Sequence, residues 1–194
     1  MANRSHANKQ RHNSSQIIAM GLIGAGLLII GVVALIALPR NGVSAQDEER
    51  SAIPVIVDFP APELALTDLQ GSPTSLDDYL GQWVLVNNWA TWCPPCKAEM
   101  PTLQAYYEYH REQGFVIIAI DAGDPVPEVA DFVKSYGLTF PVWPDPEEAA
   151  ISAFRNNALP SSYLIDRKGN VRLAWSGAIS RSVLERYVTP LLED

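Results

Sequence analysis

Between Ile17 and Leu38 the chain runs for 22 residues without a charged or strongly polar side chain. No other feature narrows the possible folds as much. At about 1.5 Å rise per residue, a helix of this length reaches about 33 Å, enough to cross a hydrocarbon core of about 30 Å. Gly21, Gly24, Gly26 and Gly31 would weaken such a helix in water. In lipid they are tolerated, because the backbone groups have no other partner. Arg4, Lys9 and Arg11 precede the run and Arg40 follows it, so residues 1–40 carry +4. Residues 41–194 carry −12 and bring the total to −8. The positive-inside bias places the N-terminus in the cytoplasm and everything after Leu38 outside. Two readings compete. A cleaved signal peptide would be cut after Val43-Ser44-Ala45, but its apolar core spans only roughly 7–15 residues. A buried core helix would show one polar stripe. Residues 1–16 are thus expected as a cytoplasmic basic tail and 17–38 as a membrane anchor. Residues 39–61 follow as an extracytoplasmic linker and 62–194 as one folded domain.

Composition removes several classes. With 47% hydrophobic and 19% charged residues the chain is not disordered. A net charge of −8 does not suit a nucleic-acid binder, which needs a basic face against phosphates. The cysteines are Cys93 and Cys96 alone, too few for a disulfide scaffold. His6, His12 and His110 cannot complete a four-ligand zinc site around one cysteine pair.

The exported part alternates strand and helix patterns. Glu63–Thr67 opens a short hairpin, and Ser75–Leu80 is one helical turn stopped by Gly81. Trp83–Trp89 is nearly continuously apolar, as a strand covered on both faces is. From Cys96 to Gln113 the period is helical, and Gly114 closes it. Phe115–Ile120 is a second buried strand. Glu128–Tyr136 is a helix, Pro141–Trp143 an extended piece and Glu147–Phe154 a short helix. Ser162–Ile165 and Val171–Trp175 flank a turn, and Ser180 caps a last amphipathic helix. This order predicts an α/β sandwich around one mixed sheet.

Trp92-Cys93-Pro94-Pro95-Cys96 falls where a buried strand passes into a long helix. Unpaired N–H groups and the helix dipole stabilise an anion there, which lowers a thiol pKa. Cys93 is expected exposed at the helix mouth, with Cys96 one turn inward. Pro94 and Pro95 suit a first turn that has no use for their missing N–H groups. The alternatives are a structural staple and half a zinc site. A staple closing so short a loop stabilises by only about 2 kcal/mol in the chain-entropy model, and the zinc partners are missing. Pro101 is expected to kink the helix. Glu99 shares the helical face of Cys96, either as a proton carrier or as an ordinary exposed first-turn acid. Pro160 marks a strand start or a strained turn.

Val86–Pro101, with Trp-Cys-Pro-Pro-Cys at its centre, and Leu159–Asp166 resemble the thioredoxin superfamily. More narrowly they are similar to its membrane-anchored, extracytoplasmic TlpA/ResA-like thiol–disulfide oxidoreductases. The resemblance covers about Pro62 to Leu192. It implies a thioredoxin-like fold with a helix–strand insert over Val126–Trp143. Cys93 is then the attacking thiol, Cys96 the resolving thiol and Pro160 a cis-proline. Trp92, Pro94, Pro95 and Leu159 join Pro160 as substrate-binding residues, with Glu99 as a catalytic acid. Asn87 stands where typical thioredoxins carry a buried aspartate. The resemblance further implies a disulfide reductase with no metal or cofactor beyond the Cys93–Cys96 disulfide. It implies protein disulfides, those of apocytochrome c among them, as substrates, and a membrane thiol transporter as electron donor. Two other functions compete with this one: a peroxiredoxin-like thiol peroxidase and a redox-inactive binding module. The peroxidase motif would place Thr or Ser and Pro where this chain has Ala90 and Val86.

Overall fold

The computed structural model describes residues 51–193. The basic tail, the expected membrane span and most of the linker therefore lie outside the described residues. Among the described residues no helix is long and apolar enough to cross a membrane.

The strands are β1 (Val55–Pro60), β2 (Ala65–Thr67), β3 (Pro73–Ser75), β4 (Trp83–Trp89), β5 (Phe115–Ala122), β6 (Val142–Asp145), β7 (Ser161–Ile165) and β8 (Asn170–Ser176). The helices are α1 (Pro94–His110), α2 (Val126–Tyr136), α3 (Ala149–Phe154), α4 (Arg181–Tyr187) and α5 (Thr189–Leu192). Short 3-10 turns span Leu76–Tyr79 and Arg111–Gln113. Six strands form one sheet in the order β1-β8-β7-β4-β5-β6, and β2 and β3 form a separate hairpin. β4, β5 and β6 run parallel, while β7, β8 and β1 each run antiparallel to the preceding neighbour.

β4 and β5 form the centre because their side chains are apolar in both directions. Leu85, Trp89, Phe115 and Ile117 face one core, closed by Met100 and Leu103 of α1, Val129 and Phe132 of α2, and Leu184 of α4. Val84, Val86, Val116, Ile118 and Ile120 face the other, closed by Leu64, Leu76, Trp143 and Ala150. Each such side chain, fully buried, contributes roughly 1.5–3 kcal/mol. Gly114 ends the α1 segment at φ 75°, a conformation costly for any residue with a Cβ. The insert expected over Val126–Trp143 is present as α2 and the start of β6.

Two expectations change. The linker does not extend to residue 61: Val55–Pro60 is the edge strand β1, paired with β8 from Val55↔Ala174 to Pro60↔Asn170. Its side chains are mostly exposed, so it carries no alternating core pattern and sits next to an acidic stretch. Upstream of it, Ser51 Oγ accepts the Ser180 N–H at 2.8 Å and the Ala52 N–H donates to the Ala178 carbonyl at 2.8 Å. The last helix is also two helices. Ser180 does cap α4, its Oγ accepting the Val183 N–H, but Pro190 lies in the first turn of a new helix, α5. A proline has no N–H for a continuous ladder and fits a fresh start.

Candidate active site

β4 ends at Trp89, and a tight turn follows in which the Cys93 N–H donates to the Ala90 carbonyl at 3.2 Å. Cys93 is the N-cap of α1 in extended geometry, with Pro94 and Pro95 in the first helical turn. Its sulfur accepts the Cys96 N–H at 3.3 Å, so one of the orphan donors of the helix start points at Cys93 Sγ. Cys93 and Cys96 are joined as a disulfide, with Cα atoms 5.3 Å apart.

The structure corrects one expectation here. Cys93 is not exposed: it is 3% accessible, and Cys96 is wholly buried. Cys93 packs in the same cluster as Trp89, Ala90 and Met100, which a helix-mouth position alone does not reveal. What faces solvent is the rim, with Trp92 65% exposed and Pro94 and Pro95 also exposed. Pro101 lies inside α1 as expected.

Glu99 is 3% exposed, so it is not an ordinary surface acid. Asn87 Nδ2 donates to its Oε1 at 2.9 Å, and the Ile179 N–H donates to its Oε2 at 2.9 Å. Burial pushes its pKa up to about 7, against the two hydrogen bonds, which favour the charged form. Asn87 Nδ2 also reaches Ser162 Oγ at 2.9 Å, which links β4, α1 and β7 through one side chain.

The Leu159–Pro160 peptide bond is cis, immediately before β7. The Pro160 carbonyl accepts the Gly177 N–H at 2.8 Å. Leu159 makes no backbone hydrogen bond among the described residues, so its N–H and C=O are open to an extended segment.

Sequence reasoning missed three aspartates. Asp121 is the penultimate residue of β5, Asp145 ends β6 opposite Ala122, and Asp124 follows β5. All are buried. Asp124 Oδ2 accepts the Thr91 N–H at 2.6 Å, reaching the turn that presents Cys93. The available signal was topological, since sites in α/β sheets gather at the carboxyl ends of parallel strands.

A buried strand, a helix whose first turn carries a disulfide, and a cis-proline strand together define a thiol–disulfide oxidoreductase of thioredoxin-like fold. The chain belongs to the AhpC/TSA family, whose model matches residues 57–174. It is 37% identical over 134 residues to the thiol-disulfide oxidoreductase ResA of Geobacillus kaustophilus, covering 69% of this chain and 77% of that protein. It is 33% identical over 166 residues to ResA of Bacillus subtilis, covering 86% and 90%. A solved structure of a thiol:disulfide interchange protein of the thioredoxin family from Chlorobium tepidum superposes with a TM-score of 0.63 at 30% identity. That match covers 71% of this chain and 99% of that one.

Proposed function

We propose that this protein is a membrane-anchored disulfide reductase acting outside the cytoplasm, with Cys93 as nucleophile and Cys96 as resolving thiol. The observation that carries the chemistry is the Cys93–Cys96 disulfide at the start of α1, with Cys93 Sγ already accepting a backbone N–H. That N–H would stabilise a thiolate on Cys93 once the pair is reduced.

The cycle balances as follows. The Cys93 thiolate attacks one sulfur of a target disulfide, and the other target sulfur leaves as a thiolate that takes up a proton. Cys96 then loses its proton and attacks Cys93 Sγ, which releases the second target thiol and re-forms the Cys93–Cys96 disulfide. Two electrons pass to the target. Glu99, one turn after Cys96 and with its pKa close to neutral, is the group suited to take the Cys96 proton. A thiol donor then reduces the pair again.

Trp92, Pro94, Pro95, Leu159 and Pro160 form the surface offered to the target. The open backbone of Leu159 supports recognition of an extended peptide. Anchoring is supported by the apolar run Ile17–Leu38 and its basic N-terminal flank. Apocytochrome c as target and a membrane thiol transporter as donor are the assignments that the TlpA/ResA-like resemblance favours.

The test is a Cys96→Ser protein, which traps targets as mixed disulfides on Cys93; no adducts with exchange activity retained would overturn the mechanism. The reduction potential reads the direction. A value near about −270 mV supports a reductase, and one near about −120 mV makes the protein an oxidant.

A further inference from the structure

Asp124 and Asp121 form an arrangement that the exchange cycle does not use. The Asp124 N–H donates to Asp121 Oδ1 at 3.1 Å, which holds the two residues together at the end of β5. Asp121 is fully buried, and no donor faces its second oxygen, Oδ2, while the Asp124 carboxyl lies within hydrogen-bonding reach of the Asp121 side chain. A buried acceptor without a donor is costly, and a carboxyl can remove that cost by carrying the proton itself. The charged groups that act on Asp121 are Asp124 and, from β6, Asp145. Asp145 is occupied in accepting the Ala149 and Ala150 N–H groups. Glu148 reaches over Gly123, where its Oε1 would lie 3.0 Å from an added Cβ. Every one of these groups is acidic, so none of them stabilises a charge on Asp121.

Asp124 faces the other way as well. Its Oδ2 takes the Thr91 N–H at 2.6 Å, inside the Ala90–Cys93 turn. That turn sets where Trp92 and Cys93 sit relative to the start of α1.

We propose that Asp124 is a positioning residue for the redox turn, and that it acts as half of a carboxyl pair in which Asp121 carries the proton. The protonated Asp121 donates to Asp124, whose carboxylate then holds Thr91. Loss of that proton leaves adjacent buried anions, drives the Asp124 carboxylate away from Asp121 and releases the turn. Consistent with this, burial and the charge of Asp124 push the Asp121 pKa up to about 8.

The inference rests on the reading of Cys93–Cys96 as the exchanging pair, and the Cys96→Ser trap tests that reading separately. The experiment here measures the rate at which dithiothreitol reduces the disulfide of the full-length protein in detergent, from pH 6 to pH 9.5. Each variant is expressed as a ratio to wild type, so that titration of the reductant and of Glu99 cancels. Asp124→Ala is expected to be slowed by about tenfold at pH 7, the loss of one hydrogen bond to a charged group. Asp124→Asn keeps an oxygen for Thr91 and recovers to within about threefold. Asp121→Asn supplies a permanent donor to Asp124. Its ratio stays near one below pH 7 and rises about tenfold above pH 8, where only the wild type loses the contact. If Asp124→Ala fails to fold, the Asp121→Asn profile decides alone. An Asp121→Asn ratio that is constant over the whole range overturns the proton assignment. An Asp124→Asn protein as impaired as Asp124→Ala overturns the positioning role.

Discussion

Asn87 and Glu99 face each other across a strand and a helix, with Asn87 Nδ2 2.9 Å from Glu99 Oε1. The acid is buried without a cation, gripped on its other oxygen by the Ile179 N–H. Neutral donors limit the cost of the charge without removing it, so the carboxyl sits near its midpoint at neutral pH. A group in that condition can both take and return a proton, as the resolving step of disulfide exchange requires.

The same relationship makes stability depend on pH. The Glu99 pKa rises from 4.5 in a free chain to about 7 in the fold. Its contribution is complete below pH 4.5 and is lost as pH rises through 7, because the unfolded chain releases this proton first. The loss is on the order of 3 kcal/mol for a shift of this size. Asp121, raised from 3.8 to about 8, acts in the same direction. Glu99→Gln is expected to match wild type in urea unfolding at pH 5 and to exceed it at pH 8. Equal pH slopes for the two proteins would count against the burial cost of the charge.

Asn87→Asp replaces a donor with a second carboxyl opposite Glu99 and turns Ser162 Oγ from acceptor into donor. The expected cost is about 2–4 kcal/mol at pH 8, and smaller at pH 5, where one of the two acids is protonated. Urea midpoints at the two pH values give the comparison. A cost that does not change with pH would point to packing instead of charge.

Trp92 contributes little to the fold, being 65% exposed. Trp92→Ala should leave stability within about 0.5 kcal/mol of wild type. If Trp92 belongs to the target surface, exchange with a protein disulfide slows by at least about fivefold, equivalent to about 1 kcal/mol. Exchange with a small aromatic disulfide is unchanged. Equal slowing of both reactions would assign Trp92 to the chemistry of the pair.

Core and surface should separate clearly in a stability scan. Leu85 is wholly buried at the centre of β4, and Leu85→Ala is expected to cost about 2–5 kcal/mol. Arg172 pairs with Asp58 at 3.1 Å, but the two side chains are 43% and 72% exposed. Arg172→Ala should cost under about 1 kcal/mol and lose even that at high salt. Calorimetry on both variants checks the contrast.

The parts of the fold that were legible in the sequence are those whose signal is local. The continuous apolar run of Trp83–Trp89, the helical period after Cys96 and the glycine stops at 114 and 137 all follow from residues a few positions apart. The redox pair was legible for the same reason. β1 was not, because an edge strand that turns only Val57 toward the core shows little alternation to betray it. The burial of Glu99 was not either. Helical spacing sets the face of α1 it shares, but the cover over that face arrives at Ile179, 80 residues later. Asp124 stayed hidden because its partner Thr91 is 33 residues away, and only the fold brings them together.

Because β1 runs antiparallel to β8, the described residues start at the end of the sheet where β4 hands over to the disulfide. Ser51 and Ala52 are fastened there to Ala178 and Ser180, on either side of the Ile179 amide that grips Glu99. The first described residues and the buried acid are thus moored to the same three-residue stretch, Ala178 to Ser180, so a shift of that stretch would move both the start of the sheet domain and the donor to Glu99 Oε2.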